Sequence, residues 1–254
     1  MVALAPACGS SPTAPGALPT TAPYATAVVV TSSASTLVAG GTATVRATAT
    51  NSTGAPVAVT PTWESSDLAV ATVDAAGLVT AASHGTVTIT ARHVSGRSGS
   101  VEIGVFPDLV GTQYLDIIQA SCTVIEFANF PECGDTGKES NVNFIIGSQS
   151  ELTMTTMKVT GALDADGAKI LDGTVDTTGK IEWTTLREDH DPWTSDTSQI
   201  QGTWVSDRVG VFQVSADGNN LSGEYTKTYT SSGYSDPGDN GQRVFTWRIL
   251  RSSL

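Results

Sequence analysis

The sequence predicts an all-β protein with two folded domains: a β-sandwich, then a second antiparallel β-domain expected to close into a small up-and-down barrel. Three observations predict it. Thr, Val, Gly, Ser and Ala dominate the chain, the composition of strands and tight turns. Turn residues recur about every eight to twelve positions along most of the length. Several segments alternate apolar and polar residues with a period of two, which places one face on a core and the other in solvent. With 254 residues, 39% of them hydrophobic, the chain can build one or two packed cores. No window approaches the ~18 consecutive apolar residues of a membrane-crossing helix.

The first 26 residues fit no fold. Leu4-Ala5-Pro6-Ala7-Cys8 resembles a bacterial lipobox, in which small residues precede a cysteine that accepts diacylglycerol. It departs from that pattern in placing Ala5 three positions before the cysteine, where a large aliphatic residue is usual, with Leu4 one place further back. Neither a positive n-region nor most of an h-region precedes it, so the expectation is a start upstream of Met1 or a trimmed leader. Residues 1–8 are read as a signal remnant with Cys8 as the lipidation site. Residues 9–26, nearly all Gly, Ser, Pro, Thr and Ala, are read as a disordered tether. One cysteine carrying two or three acyl chains anchors stably where a single chain does not.

Residues 27–106 carry the clearest strand signal. In the stretch from Thr42 to Thr50, Ala43, Val45, Ala47 and Ala49 point one way and Thr and Arg residues the other, after a turn at Gly40-Gly41. Val87, Ile89 and Ala91 repeat the pattern, and a single Trp63 is expected in the centre of the core. Asp74 to Gly77 is expected to form a tight turn in which Gly77 takes positive φ. The run Trp63, Ser65-Ser66-Asp67, Val70-Ala71-Thr72-Val73-Asp74, Gly77-Leu78-Val79-Thr80-Ala81 and Gly85-Thr86-Val87-Thr88-Ile89-Thr90-Ala91 resembles the bacterial Ig-like family, group 2. The resemblance implies an Ig-like sandwich of bacterial surface proteins, used as a spacer or adhesion module and carrying no catalytic residues.

Residues 107–254 form the second domain. Strands are expected at 111–120, 122–128, 141–147, 150–163, 168–176, 180–187, 199–205, 209–216, 220–230 and 242–251. Turns such as Asp176-Thr177-Thr178-Gly179 and Asp217-Gly218-Asn219-Asn220 separate them. Consecutive strands on short turns make a meander, and eight to ten of them must close or pack to hide their edges. A closed barrel is therefore expected, with a second sandwich as the alternative. The rhythm Gly-x-Trp, Gly-x-Phe, Leu-x-Gly-x-Tyr across GTWVSDRVGVFQVSADGNNLSGEYTKTYT resembles lipocalin-like and avidin-like barrels. The resemblance carries no binding residue. Cys122 and Cys133 lie eleven positions apart and suit a bridge across a hairpin or loop, which leaves Cys8 for lipid.

The net charge of −12 is uneven: residues 1–106 contribute −1 and residues 107–254 contribute −11. An acidic surface repels phosphate backbones and argues against a nucleic-acid partner. The three histidines, His84, His93 and His190, are scattered, and no Gly-x-Ser-x-Gly elbow occurs, so an enzyme is not expected. Asp164 and Asp166 read as a hairpin turn rather than a calcium loop. Asp189, His190 and Asp191 are the weak metal candidates, in a polar loop that reads more simply as solvated. Trp183, Phe212 and Trp247 are the ligand-pocket candidates, although inward aromatics in a small barrel usually fill it. No cofactor is expected. The sequence thus points to an exported, monomeric, lipid-anchored protein of the bacterial cell envelope. Its expected role is binding, adhesion to a protein or glycan, or structural spacing. A lipocalin-like carrier of a small apolar ligand is the alternative and a hydrolase the remote one.

Overall fold

The computed structural model describes residues 24–126, 133, 136–137, 139–164, 170–185, 188–190, 203–233 and 241–253. Cys8, the tether through Pro23, Asp166 of the expected hairpin turn and Asp191 lie outside them. The described secondary structure is all strand. Residues 27–106 carry β1 (Ala27–Ser32), β2 (Thr36–Val38), β3 (Thr42–Thr50), β4 (Pro56–Val57), β5 (Thr62–Ser65), β6 (Ala71–Val73), β7 (Leu78–Ala81), β8 (Gly85–Arg92) and β9 (Ser98–Phe106). One sheet runs β1-β3-β7-β6 with β4 on β3, and the other runs β2-β9-β8-β5. The two sheets face each other across Val45, Val79, Val87, Ile89, Ala91, Ile103 and Val105, all buried.

The period-two reading of β3 and β8 holds residue by residue. Ala43, Val45, Ala49, Val87, Ile89 and Ala91 are buried and their neighbours face outward. Each such Val or Ile contributes roughly 1.5–3 kcal/mol by leaving water. At Asp74–Gly77 the Asp74 carboxylate accepts hydrogen bonds from the amides of Ala76 and Leu78, both 2.8 Å, and Gly77 has φ 83°. Two expectations change. Gly40-Gly41 does not close a hairpin: β2 leaves β3's sheet and pairs in parallel with β9. Trp63 is only partly buried and packs at the edge of a core built from smaller β-branched residues and alanines.

The second domain contains β10 (Gly111–Ile125), β11 (Glu139–Thr153), β12 (Thr156–Asp164), β13 (Ile170–Asp176), β14 (Lys180–Thr185), β15 (Glu188–His190), β16 (Thr203–Val214), β17 (Leu221–Ser232) and β18 (Gly241–Ser253). From β10 to β14 and from β16 to β18 each strand pairs antiparallel with the next. β18 returns to β10, and β14 pairs with β16. The ring is therefore a closed antiparallel barrel. Thr184 faces Val209 and Glu188 faces Ser206, so β15 continues β14 along the same partner with a one-residue offset. The wall thus has eight positions. Ten strands were expected because β10 and β16 were each read as two. A register shift between Gln119 and Ser121 bends β10 without ending it. β16 runs unbroken through Asp207 and Arg208.

Inward positions alternate with outward ones, and Phe144, Val159, Val175, Ile181, Trp183, Phe212, Val214 and Tyr225 fill the lower barrel. Trp183 stands against two glycines. A Cβ on Gly210 would lie 2.6 Å from the indole Nε1, so no side chain fits there while the indole stays in place. One on Gly173 would lie 2.5 Å from the Glu182 carbonyl oxygen and 2.9 Å from the Trp183 Cα, so the β14 backbone itself excludes a side chain there. Gly210→Ala is therefore expected to lower the unfolding free energy by about 1–3 kcal/mol. Gly147→Ala, whose new Cβ would meet only the Thr160 carbonyl at 3.6 Å, should stay within about 0.5 kcal/mol of wild type. Urea unfolding followed by tryptophan fluorescence compares the two; equal stabilities would contradict this packing.

Candidate functional site

The two ends of the barrel differ. The connections at 154–155, 177–179 and 215–220 are tight and lie at the end where β10 begins. The connections at 126–138, 165–169, 186–202 and 233–240 leave from the opposite end.

The tight end rests on the sandwich. Ser83 Oγ donates to the Ala216 carbonyl at 2.7 Å, and the Thr86 and Thr177 hydroxyls lie 3.4 Å apart. Gly104 has no room for a side chain because the Met154 carbonyl occupies that space. Phe106 and Leu109 leave the last sandwich strand and enter the barrel core, where both are fully buried. Gln149 pins the link between them: its side chain accepts from the Leu109 amide at 2.8 Å and donates to the Pro107 carbonyl at 3.0 Å. The barrel floor is thus closed by its neighbour, and the two domains share a packed joint.

His84 sits in that joint. A Cβ on Gly179 would approach its Nε2 to 2.7 Å, and Gly179 itself has φ 81°. Burial holds the imidazole pKa below its ordinary 6.5; the hydrogen bond to the Thr178 backbone and the nearby Asp176 carboxylate only partly oppose this. A depressed histidine pKa means that the docked form binds fewer protons than the free side chain. Stability is then complete above about pH 6.5 and is lost as pH falls below that value. The melting temperature of wild type should accordingly fall further between pH 7.5 and 5.5 than that of His84→Gln. Identical shifts would remove His84 from the pH response.

The upper lumen has a different lining. Along β16 the buried residues are Ser206, Arg208, Gly210, Phe212 and Val214, while Asp207, Val209, Val211 and Gln213 face outward. Arg208 is 1% exposed and Lys227 8%, and they are direct cross-strand partners on the inner wall. Lys227 Nζ lies 4.4 Å from the centre of the Tyr229 ring, and that ring meets Phe245 edge-on at 5.7 Å. Arg243 pairs with Tyr229. Gln119 is buried on the same wall, and its Nε2 has no hydrogen-bond partner. Asp116 and Asp176 are half-buried, and Asp172, Glu182, Asp207 and Glu224 are exposed.

The sequence candidates fall as follows. Trp183 and Phe212 are buried with ring centres 5.4 Å apart. Phe144 joins them at 5.9 and 5.2 Å, and Trp247 stacks on Tyr225 at 6.3 Å. All four residues from the lower wall therefore fill the barrel with one another, and Trp247 borders the polar half. Cys122 and Cys133 form a disulfide with Cα atoms 5.8 Å apart, which ties the upper end of β10 to the connection that follows it. Asp189 and His190 belong to β15, with side chains outside the described residues, and Asp191 lies outside altogether. Among the described residues no cluster suited to a metal ion occurs. Sequence reasoning missed Gln119, Ser206, Arg208 and Lys227. The signal was present: Ser206-x-Arg208-x-Gly210-x-Phe212-x-Val214 places the arginine on the same face as the core aromatic.

The outer wall carries a separate groove of about 750 Å³ over β13, β14, β16 and β17, with Val209 and Val211 exposed in it. Its carboxylates are paired at the surface: Asp172 with Lys158 at 3.0 Å, Glu224 with Arg248 at 2.7 Å, and Glu182 with Lys180. Exposed pairs of this kind are worth about 0–1 kcal/mol and mainly fix side-chain positions.

The fold therefore defines a sandwich module fused through a packed joint to a closed antiparallel barrel. Residues 24–103 match the family model of the bacterial Ig-like domain (group 2), so the sandwich is a domain of that family. Such domains typically occur in bacterial surface or extracellular proteins, and the chain carries a module of that class. No match was found among curated proteins.

Proposed function

We propose that this is a lipid-anchored binding protein of the bacterial cell envelope. In this reading Cys8 carries the anchor and the Ser/Pro/Thr-rich segment supplies reach. The Ig-like domain serves as a pedestal, and the barrel takes a ligand through the end away from that pedestal. The observation that carries the reading is the two-ended barrel: one end is stoppered by Phe106, Leu109 and the sandwich, and the inner wall changes from aromatic to polar and cationic toward the other. A barrel serving only as a structural block gains nothing from burying an arginine and a lysine in that wall, since desolvating each ion costs several kcal/mol. The lower lumen is filled by its own aromatic rings. This moves the carrier reading to the upper half and favours a ligand with polar groups over a wholly apolar one. The role proposed is binding rather than catalysis.

The anchor is tested by expressing the protein from its natural start in a bacterial host and separating membrane from soluble fractions. Wild type should sediment with membranes and show a diacylated or triacylated Cys8 by mass spectrometry. Cys8→Ala should move to the soluble fraction. A soluble wild type with an unmodified thiol would sink the anchoring.

A further inference from the structure

We propose that the outer wall of the barrel docks a lysine- or arginine-bearing segment of another protein, laid across β16 with an aliphatic side chain between its cations. This surface is separate from the lumen and stands whether or not the barrel takes a ligand through its end. The groove over β13, β14, β16 and β17 has a volume of about 750 Å³. Val209 and Val211 lie in its floor and are 52% and 49% exposed, so the sheet face there is apolar and uncovered. Strand register fixes what stands beside them. Val211 lies between Glu182 of β14 and Glu224 of β17, and Val209 between Thr184 and Thr226. Neighbouring strands are ~4.8 Å apart, so the two glutamates stand roughly 10 Å apart across the valine. Asp172 on β13 adds a third carboxylate, and among the described residues no lysine or arginine lines the groove.

Charge complementarity selects the occupant. Each carboxylate is held by a base outside the groove, and each pair engages one oxygen: Lys158 Nζ on Asp172 Oδ1, Lys180 Nζ on Glu182 Oε1 and Arg248 Nε on Glu224 Oε1. A carboxylate has two oxygens and about four acceptor sites, so each can take a second cation without giving up the first. The acid excess of the whole domain draws cations toward this wall and repels anions. Strand addition does not fit, because each of the four strands is already paired on both sides. Stacking of a sugar or a base does not fit either, because the aromatic residue in the lining, Trp183, is only 3% exposed. A small-molecule site encloses most of its ligand. Here about half of each valine faces open water, which suits a segment presented by a larger surface.

The test titrates three peptides of equal length into the full chain labelled with nitrogen-15 and follows the amide chemical shifts. In extended form acetyl-Gly-Lys-Ser-Val-Ser-Lys-Gly-amide presents Lys, Val and Lys on one face, with the lysines ~13 Å apart and within side-chain reach of both glutamates. The second peptide has glutamate in place of both lysines, and the third has serine in place of the valine. The first is expected to bind saturably with a Kd of about 1 mM, the range open to so short a probe. Its largest shifts should fall on Thr184, Val209, Val211 and Thr226, which line the groove. The glutamate peptide should bind about tenfold or more weakly, and the serine peptide about threefold or more. Glu182→Gln and Glu224→Gln, changes at exposed positions that leave the fold intact, should each weaken the first peptide about two- to fivefold. Glu151→Gln removes an exposed acid of β11 outside the groove and should change it less than about 1.5-fold. Equal affinity of the lysine and glutamate peptides would overturn the proposal. So would a loss in Glu151→Gln as large as in the groove variants, which would make the attraction a diffuse property of the acidic surface. Shifts confined to other parts of the chain, or no saturable shift up to about 10 mM, would overturn it as well.

Discussion

Backbone pairing between β14 and β16 is the interaction on which the second domain depends. Lys180–Thr184 and Val209–Gln213 join two strands separated by the longest connection of the meander. Without that ladder the sheet would have two free edges, each a row of unpaired amides and carbonyls open to association with another chain. With it, the sheet gains an inside. Trp183 belongs to this closure in a physical sense. It stands on β14, and its indole covers Gly210 of β16, so one ring crosses the seam. Backbone pairing and side-chain packing thus close the ring at the same place.

The inside so created is chemically divided. Below, edge-on and tilted aromatic pairs at 5.2–5.9 Å fill the space by dispersion and quadrupole contacts. Above, the same alternation delivers Ser206, Arg208, Lys227 and Ser231 to a wall cut off from water. The exterior has the opposite sign: the second domain carries nearly all of the chain's net −12. Exposed carboxylates are screened over ~8 Å at physiological ionic strength, and many are paired on the surface. Buried cations are screened far less. The exposed acids and the buried Arg208 and Lys227 therefore respond differently to ionic strength.

The sandwich was legible because its rules are local. Asp74 caps its own turn, Gly77 takes the left-handed conformation that turn requires, and β8 alternates without exception. The barrel was legible as a class, through its short turns and strand count. Its detail was obscured where two physical signals compete. A charged pair at Asp207-Arg208 reads as a solvent-facing break, yet strand alternation sends Asp207 out and Arg208 in. Charge argues from the average cost of burial; alternation argues from backbone geometry, and geometry prevailed. Gly40-Gly41 misled for the converse reason. The local turn is real, but β2 finds its partner in β9, far along the chain, and no local pattern records that. Phe106 and His84 likewise became significant only when the turns of one domain met the edge of the other.

The uneven ends of the barrel divide the chain's tolerance of change. At the sandwich end, Gly104, Gly179, Thr177 and Met154 touch a second domain, so an altered residue or a changed turn length disturbs two cores at once. At the far end, the strands that flank the β12–β13 and β17–β18 connections are neighbours already fixed by their own pairing. Inserted or deleted residues in those two connections leave the ladders intact. Related chains should therefore diverge in length there and hold it constant at the sandwich end.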